Sequence, residues 1–94
     1  MVVIALLTLD IHIPHAHSLK DKRMVVRSLK DRLRSKFNVS VAEVAYNDLP
    51  KRCRLGVAVV SNDARAVHSQ LDQVVEMVRR NAGLTLLGYD RQLR

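Results

Sequence analysis

The chain reads as an α+β domain with the element order β-α-β-β-α-β, and three observations predict it. Four stretches are dominated by aliphatic and β-branched residues, two others repeat their apolar residues every three or four positions, and the two kinds alternate in that order. Pro14, the run Asn47 to Pro50 and Gly83 punctuate the boundaries.

Residues 2–13 form the first strand, with Ala5, Leu7, Leu9, Ile11 and Ile13 on one face and Val2, Ile4 and Leu6 on the other. Both faces are apolar in its first half, which marks a central strand. Pro14 ends it, and a His-Ala-His segment leads to Ser18. Residues 18–37 form the first helix, with Ser18 as cap and Asp21 three residues later, a variant of the capping box. Leu19, Lys22, Val26, Leu29, Leu33 and Phe37 follow at steps of three and four, a stripe that must face the core.

Residues 38–46 form a second strand in which Val39 and Val41 fall out of phase with Val44 and Tyr46, a pattern that calls for a bulge or an edge position. After the turn at 47–50, the basic cluster Lys51, Arg52 and Arg54 leads into a third strand, Leu-Gly-Val-Ala-Val-Val, apolar on both faces. Ser61, Asn62 and Asp63 offer caps for a second helix over about 64–81, whose stripe is Ala64, Val67, Leu71, Val74, Val75 and Val78. Residues 84–93 form the last strand. No linker, repeat or low-complexity tract divides the 94 residues, so 1–94 is one domain.

This order is that of the ferredoxin-like split βαβ sandwich, an antiparallel four-stranded sheet with two helices on one face. The first and third strands are then central, and their apolar residues line an uncovered sheet face. Apolar surface of that kind implies a partner, most simply a second copy in a homodimer.

Charge is concentrated in the first helix. Residues 18–37 hold eight basic and two acidic residues, hence +6 of the chain's +7. One position beyond the apolar stripe, the same steps select Lys20, Arg23, Arg27, Lys30 and Arg34, a row about 100° around the helix. Lys20, Lys22 and Arg23 crowd the positive end of the helix dipole, an arrangement that a bound anion would stabilise. Lys20, Lys22, Arg23, Arg27, Lys30 and Arg34 are therefore the candidate phosphate-binding residues, and RNA or a ribosome is the expected partner. A solvated basic face that serves solubility is the competing reading.

Other chemistries fit less well. Only Phe37, Tyr46 and Tyr89 are aromatic, and none lies within the apolar run of the third strand, so base stacking across the sheet is not expected. No Gly-rich phosphate loop occurs. His12, His15 and His17 cluster before the helix but lack a further ligand at fixed spacing, and no metal or other cofactor is expected. Arg23 and Asn62 could be cast as the phosphate-holding pair of an acylphosphatase-like hydrolase, yet the Gly-rich first loop of those enzymes is missing, so no catalytic residue is assigned. Cys53 is the single cysteine, which forbids an intrachain disulfide and suits a reducing compartment. The apolar N-terminus is short and interrupted by Thr8 and Asp10, unlike a signal or spanning segment, and the helix's apolar stripe is needed for the core. The expectation is a cytoplasmic protein that makes no use of a membrane.

Three blocks carry a resemblance to a known family. His-Ile-Pro (12–14) with Ser-Leu-Lys-Asp-Lys-Arg (18–23), Ser-Lys-Phe-Asn-Val-Ser-Val-Ala-Glu-Val (35–44) and Leu-Gly-Val-Ala-Val-Val-Ser-Asn-Asp (55–63) resemble the YlxP-like family of small bacterial proteins, along nearly the whole chain. The resemblance implies a ferredoxin-like fold and a cytoplasmic protein acting near ribosomal RNA or the small subunit. It supplies no catalytic residues. Two expectations result: a non-enzymatic RNA-binding protein working through the basic helix, or an assembly or regulatory module working through its apolar sheet face.

Overall fold

The computed structural model describes residues 1–94. The elements are β1 (Val3–His12), α1 (Leu19–Lys36), β2 (Ser40–Ala45), β3 (Arg52–Ser61), α2 (Ala64–Arg79) and β4 (Thr85–Leu93). One antiparallel sheet has the order β2-β3-β1-β4, so the two strands that are apolar on both faces are central. Both helices pack on one side of it, which gives the α+β ferredoxin-like arrangement.

Alternation along β1 divides its residues cleanly. Ala5, Leu7, Leu9 and Ile11 are buried under the helices with Leu55, Val57 and Val59 of β3, and Val26, Leu29 and Leu33 of α1 meet Val67, Leu71, Val74, Val75 and Val78 of α2 in the same core. Each fully buried Leu or Val contributes about 1.5–3 kcal/mol. Ala64 differs from its expected place on the α2 stripe and is exposed, because Asp63 caps the helix one residue earlier through the amides of Arg65 and Ala66. β3 begins at Arg52, three residues before the apolar run that marks it, since β1 pairs with it down to His12 opposite Arg52.

The phase break in β2 is a bulge between Glu43 and Ala45. Its extra residue, Val44, turns to the open side of the sheet and lies over Gly56, where a Cβ would meet Val44 Cγ1 at 3.2 Å. Glycine at 56 therefore answers a close approach.

Lys22 is the one charged residue in the core, 1% exposed. Its ammonium donates to the carbonyls of Tyr46 (2.8 Å), Asn47 (3.2 Å) and Arg52 (3.2 Å), and Glu43 Oε2 stands 3.0 Å away as its counter-charge. Three carbonyls take the three protons, so the carboxylate is held by charge rather than by an aligned hydrogen bond. Tyr46 has φ of 64°, the left-handed region that disfavours a side chain, and Lys22 fixes the carbonyl that this geometry aims inward.

Cys53 is buried beside this group, and burial, reinforced by the Glu43 carboxylate, pushes its thiol up to about 12. The folded thiol thus stays neutral where the unfolded chain ionises, near 9.0. The stability it contributes is complete below that pH and is lost as pH rises toward 12.

Two outcomes are expected. Lys22→Met should lower the unfolding free energy by about 3–5 kcal/mol in urea titrations, because it strands Glu43, and adding Glu43→Gln should recover part of the loss; an equal loss in the double variant would show that charge is not the cause. Between pH 8 and pH 10.5 the wild type should lose roughly 2 kcal/mol more than Cys53→Ala, at about 1.4 kcal/mol per pH unit above the unfolded thiol's pKa.

Candidate nucleic-acid interface

The 18 residues of α1 turn one stripe to the core, and the basic row lies beside it on the outer side. Lys20, Arg23 and Arg27 are exposed and Lys30 is half-buried; none of the four makes an ion pair or a side-chain hydrogen bond. Arg34 is engaged: it donates to the Val41 carbonyl at 2.9 Å and stands 4.0 Å from Asp31. That contact covers a carbonyl of the edge strand β2. Met24 is 66% exposed and lines, with Lys20, Arg23, Arg27, Ser28 and Asp31, a shallow depression on the same surface.

Two parts of the expected phosphate site differ. Lys22 is turned inward and has all its protons committed, so it presents nothing to a ligand; its place in the apolar phase outweighs its charge. The helix N-terminus is also taken up. Ser18 Oγ accepts from the Asp21 amide at 3.1 Å, and Asp21 Oδ2 accepts from the His17 amide at 3.0 Å, so a carboxylate already occupies the positive end of the dipole. The row from Lys20 to Arg34 is what remains, about 21 Å long at 1.5 Å per residue.

The basic cluster at the start of β3 does not extend this surface. Lys51 donates to the Pro14 carbonyl at 2.7 Å, while Arg52 and Arg54 lie on the opposite, open side of the sheet. There Arg54 pairs with Asp10 at 2.8 Å, donates to the Tyr46 hydroxyl at 3.2 Å, and stacks with Arg52 against the Tyr46 ring. The Asp10 hydrogen bond holds the Arg54 guanidinium above its already high pKa. Sequence reasoning missed this cluster, although residues of equal parity on paired strands (Asp10, His12, Arg52, Arg54) signalled a shared face.

The histidines are dispersed. His12 faces the open side opposite Arg52, His15 and His17 are exposed in the loop before α1, and no three His, Cys, Asp or Glu residues converge as metal ligands would. Arg23 and Asn62 are also apart: α1 follows the His12 end of β1, whereas Asn62 follows Ser61, paired with Val3 at the other end. No phosphate can be held between them. No helix is long and apolar enough to cross a membrane.

Comparison with known proteins agrees with the blocks that suggested a family. The chain is similar to the uncharacterized protein YlxP of Bacillus subtilis (strain 168), 36% identical over 63 residues that cover 67% of this chain and 68% of that protein. Residues 4–91, nearly the whole of the sandwich, match the family model described as a protein of unknown function (DUF503), and the chain belongs to that family.

Proposed function

We propose that the protein is a non-enzymatic, cytoplasmic RNA-binding protein, associated with the ribosome, that lays the outer face of α1 along phosphates. The observation that carries this reading is the state of Lys20, Arg23, Arg27 and Lys30. Four neighbouring cations on one rigid helix face have no acidic partner, although Asp31 and Glu76 show that ion pairs form elsewhere on the helices. Their mutual repulsion is relieved by a polyanion. Exposed Met24 among them adds an apolar contact for a sugar or base edge. Recognition is then electrostatic and follows backbone shape, since no aromatic platform faces the ligand.

Binding should fall steeply with salt, with a slope of log K against log salt of about 0.7–0.9 per phosphate contacted. Arg23→Gln with Arg27→Gln should reduce that slope by roughly 2, with circular dichroism unchanged. Fluorescence anisotropy on a structured RNA between roughly 50 and 200 mM salt measures it, and a slope equal to that of the wild type would sink the reading. Retention on small ribosomal subunits at the higher salt, with the generic RNA released, is the outcome expected of a ribosomal role.

A further inference from the structure

The side of the sheet away from the helices is bare. Ile4, Leu6, Val44 and Val60 are exposed there around Ala58, and Val60 is 66% exposed. Monomeric proteins seldom leave a continuous apolar patch of this kind on a rigid surface. The other half of the face is polar: Arg54 pairs with Asp10 and donates to the Tyr46 hydroxyl, and Arg52 lies over the Tyr46 ring.

We infer that this face binds a second copy of the chain, its apolar half packed on the apolar half of its partner about a two-fold axis close to Leu6 and Ala58. Charge argues for that occupant. A chain of +7 repels its own copy unless the contact avoids the basic helix. The open face carries two acids, Asp10 and Asp90, against Arg52 and Arg54, with Arg94 beside Ile4 its one further cation, so it holds little of the chain's net charge. It also lies opposite α1. The sandwich is about 20 Å thick, so two copies joined through their sheets hold their basic rows on opposite outer surfaces, separated by more than the screening length of about 8 Å at physiological salt.

Area and register agree. Four strands about 4.8 Å apart, with about 3.3 Å per residue over β1, present roughly 600 Å² per copy over both halves, so a contact with the apolar half at its centre and the polar half as its rim removes roughly 1,200 Å², the low end for a stable interface. Leu6 and Ala58 are direct partners on the two central strands, so an axis beside them brings like residues together, as an isologous contact requires. Edge-to-edge pairing through β2 is disfavoured, because that strand is six residues long, bulged, and covered at Val41 by Arg34.

The test is the oligomeric state of the full chain without nucleic acid, by sedimentation equilibrium at physiological salt. A mass of twice 10.7 kDa is expected, falling to 10.7 kDa in Leu6→Glu with Val60→Glu, both exposed positions that leave the thermal melt intact. Under mild oxidation Ala58→Cys should form a disulfide with its own copy, whereas Ser28→Cys on the outer face of α1 should not; buried Cys53 does not compete. A monomer throughout the concentration range, or a dimer indifferent to the two charges and cross-linked through position 28, would overturn the inference. Neither result bears on the RNA reading: a monomer that binds RNA removes only the dimer, and a dimer that does not bind removes only the function.

Discussion

The ammonium of Lys22 is the contact on which the arrangement of this domain turns. It lies where four pieces of chain meet: the first turn of α1, Glu43 of β2, the hairpin carbonyls of Tyr46 and Asn47, and Arg52 at the start of β3. A buried charge is tolerable only when its partners are complete, and here they are. The rotation of α1 about its axis follows. With Lys22 pinned inward, Lys20, Arg23 and Arg27 must turn away from the sheet, so the core contact determines which cations reach solvent.

The two outer surfaces of the sandwich then differ in kind. One is a basic helix face whose cations are left without acids; the other is a half-apolar sheet face of low net charge, on which Asp10 pairs with Arg54. In the functional reading proposed here, the first meets phosphate and the second meets another copy. Neither role asks anything of the core, and the hydrophobic layer between them holds them apart mechanically.

Much of this was legible from residue pattern. Period-two runs and period-three-four stripes located all six elements, and the clash of phase between Val41 and Val44 announced the bulge. Lys22 was legible too, since it sat in the apolar phase, but its charge also placed it among the phosphate ligands. What decided between these was a pocket of carbonyls that no local pattern encodes. The carbonyls come from the β2–β3 hairpin, some two dozen residues away, and converge only because Tyr46 adopts a left-handed conformation unusual for an aromatic residue. The Asp10–Arg54–Tyr46 group was obscured for a similar reason: its members come from β1, β3 and the hairpin after β2, and their meeting depends on register and on the bulge that shifts it.

That bulge also limits how this hairpin can change length. Val44 adds one residue to β2, which lets Glu43 point toward Lys22 while Ala45 comes opposite Arg54 on the other side of the sheet. Losing Val44 would remove the bulge and leave Ala45 opposite Arg54, whereas losing a residue from Ser40–Glu43 would slip the register by one and exchange the faces of the side chains before it. Parity therefore disfavours single-residue insertions and deletions within Ser40–Glu43, the paired stretch before the bulge. The loop before α1 has no paired strand to keep in step, so there length is limited instead by buried Ala16 and by the bond from Lys51 to the Pro14 carbonyl.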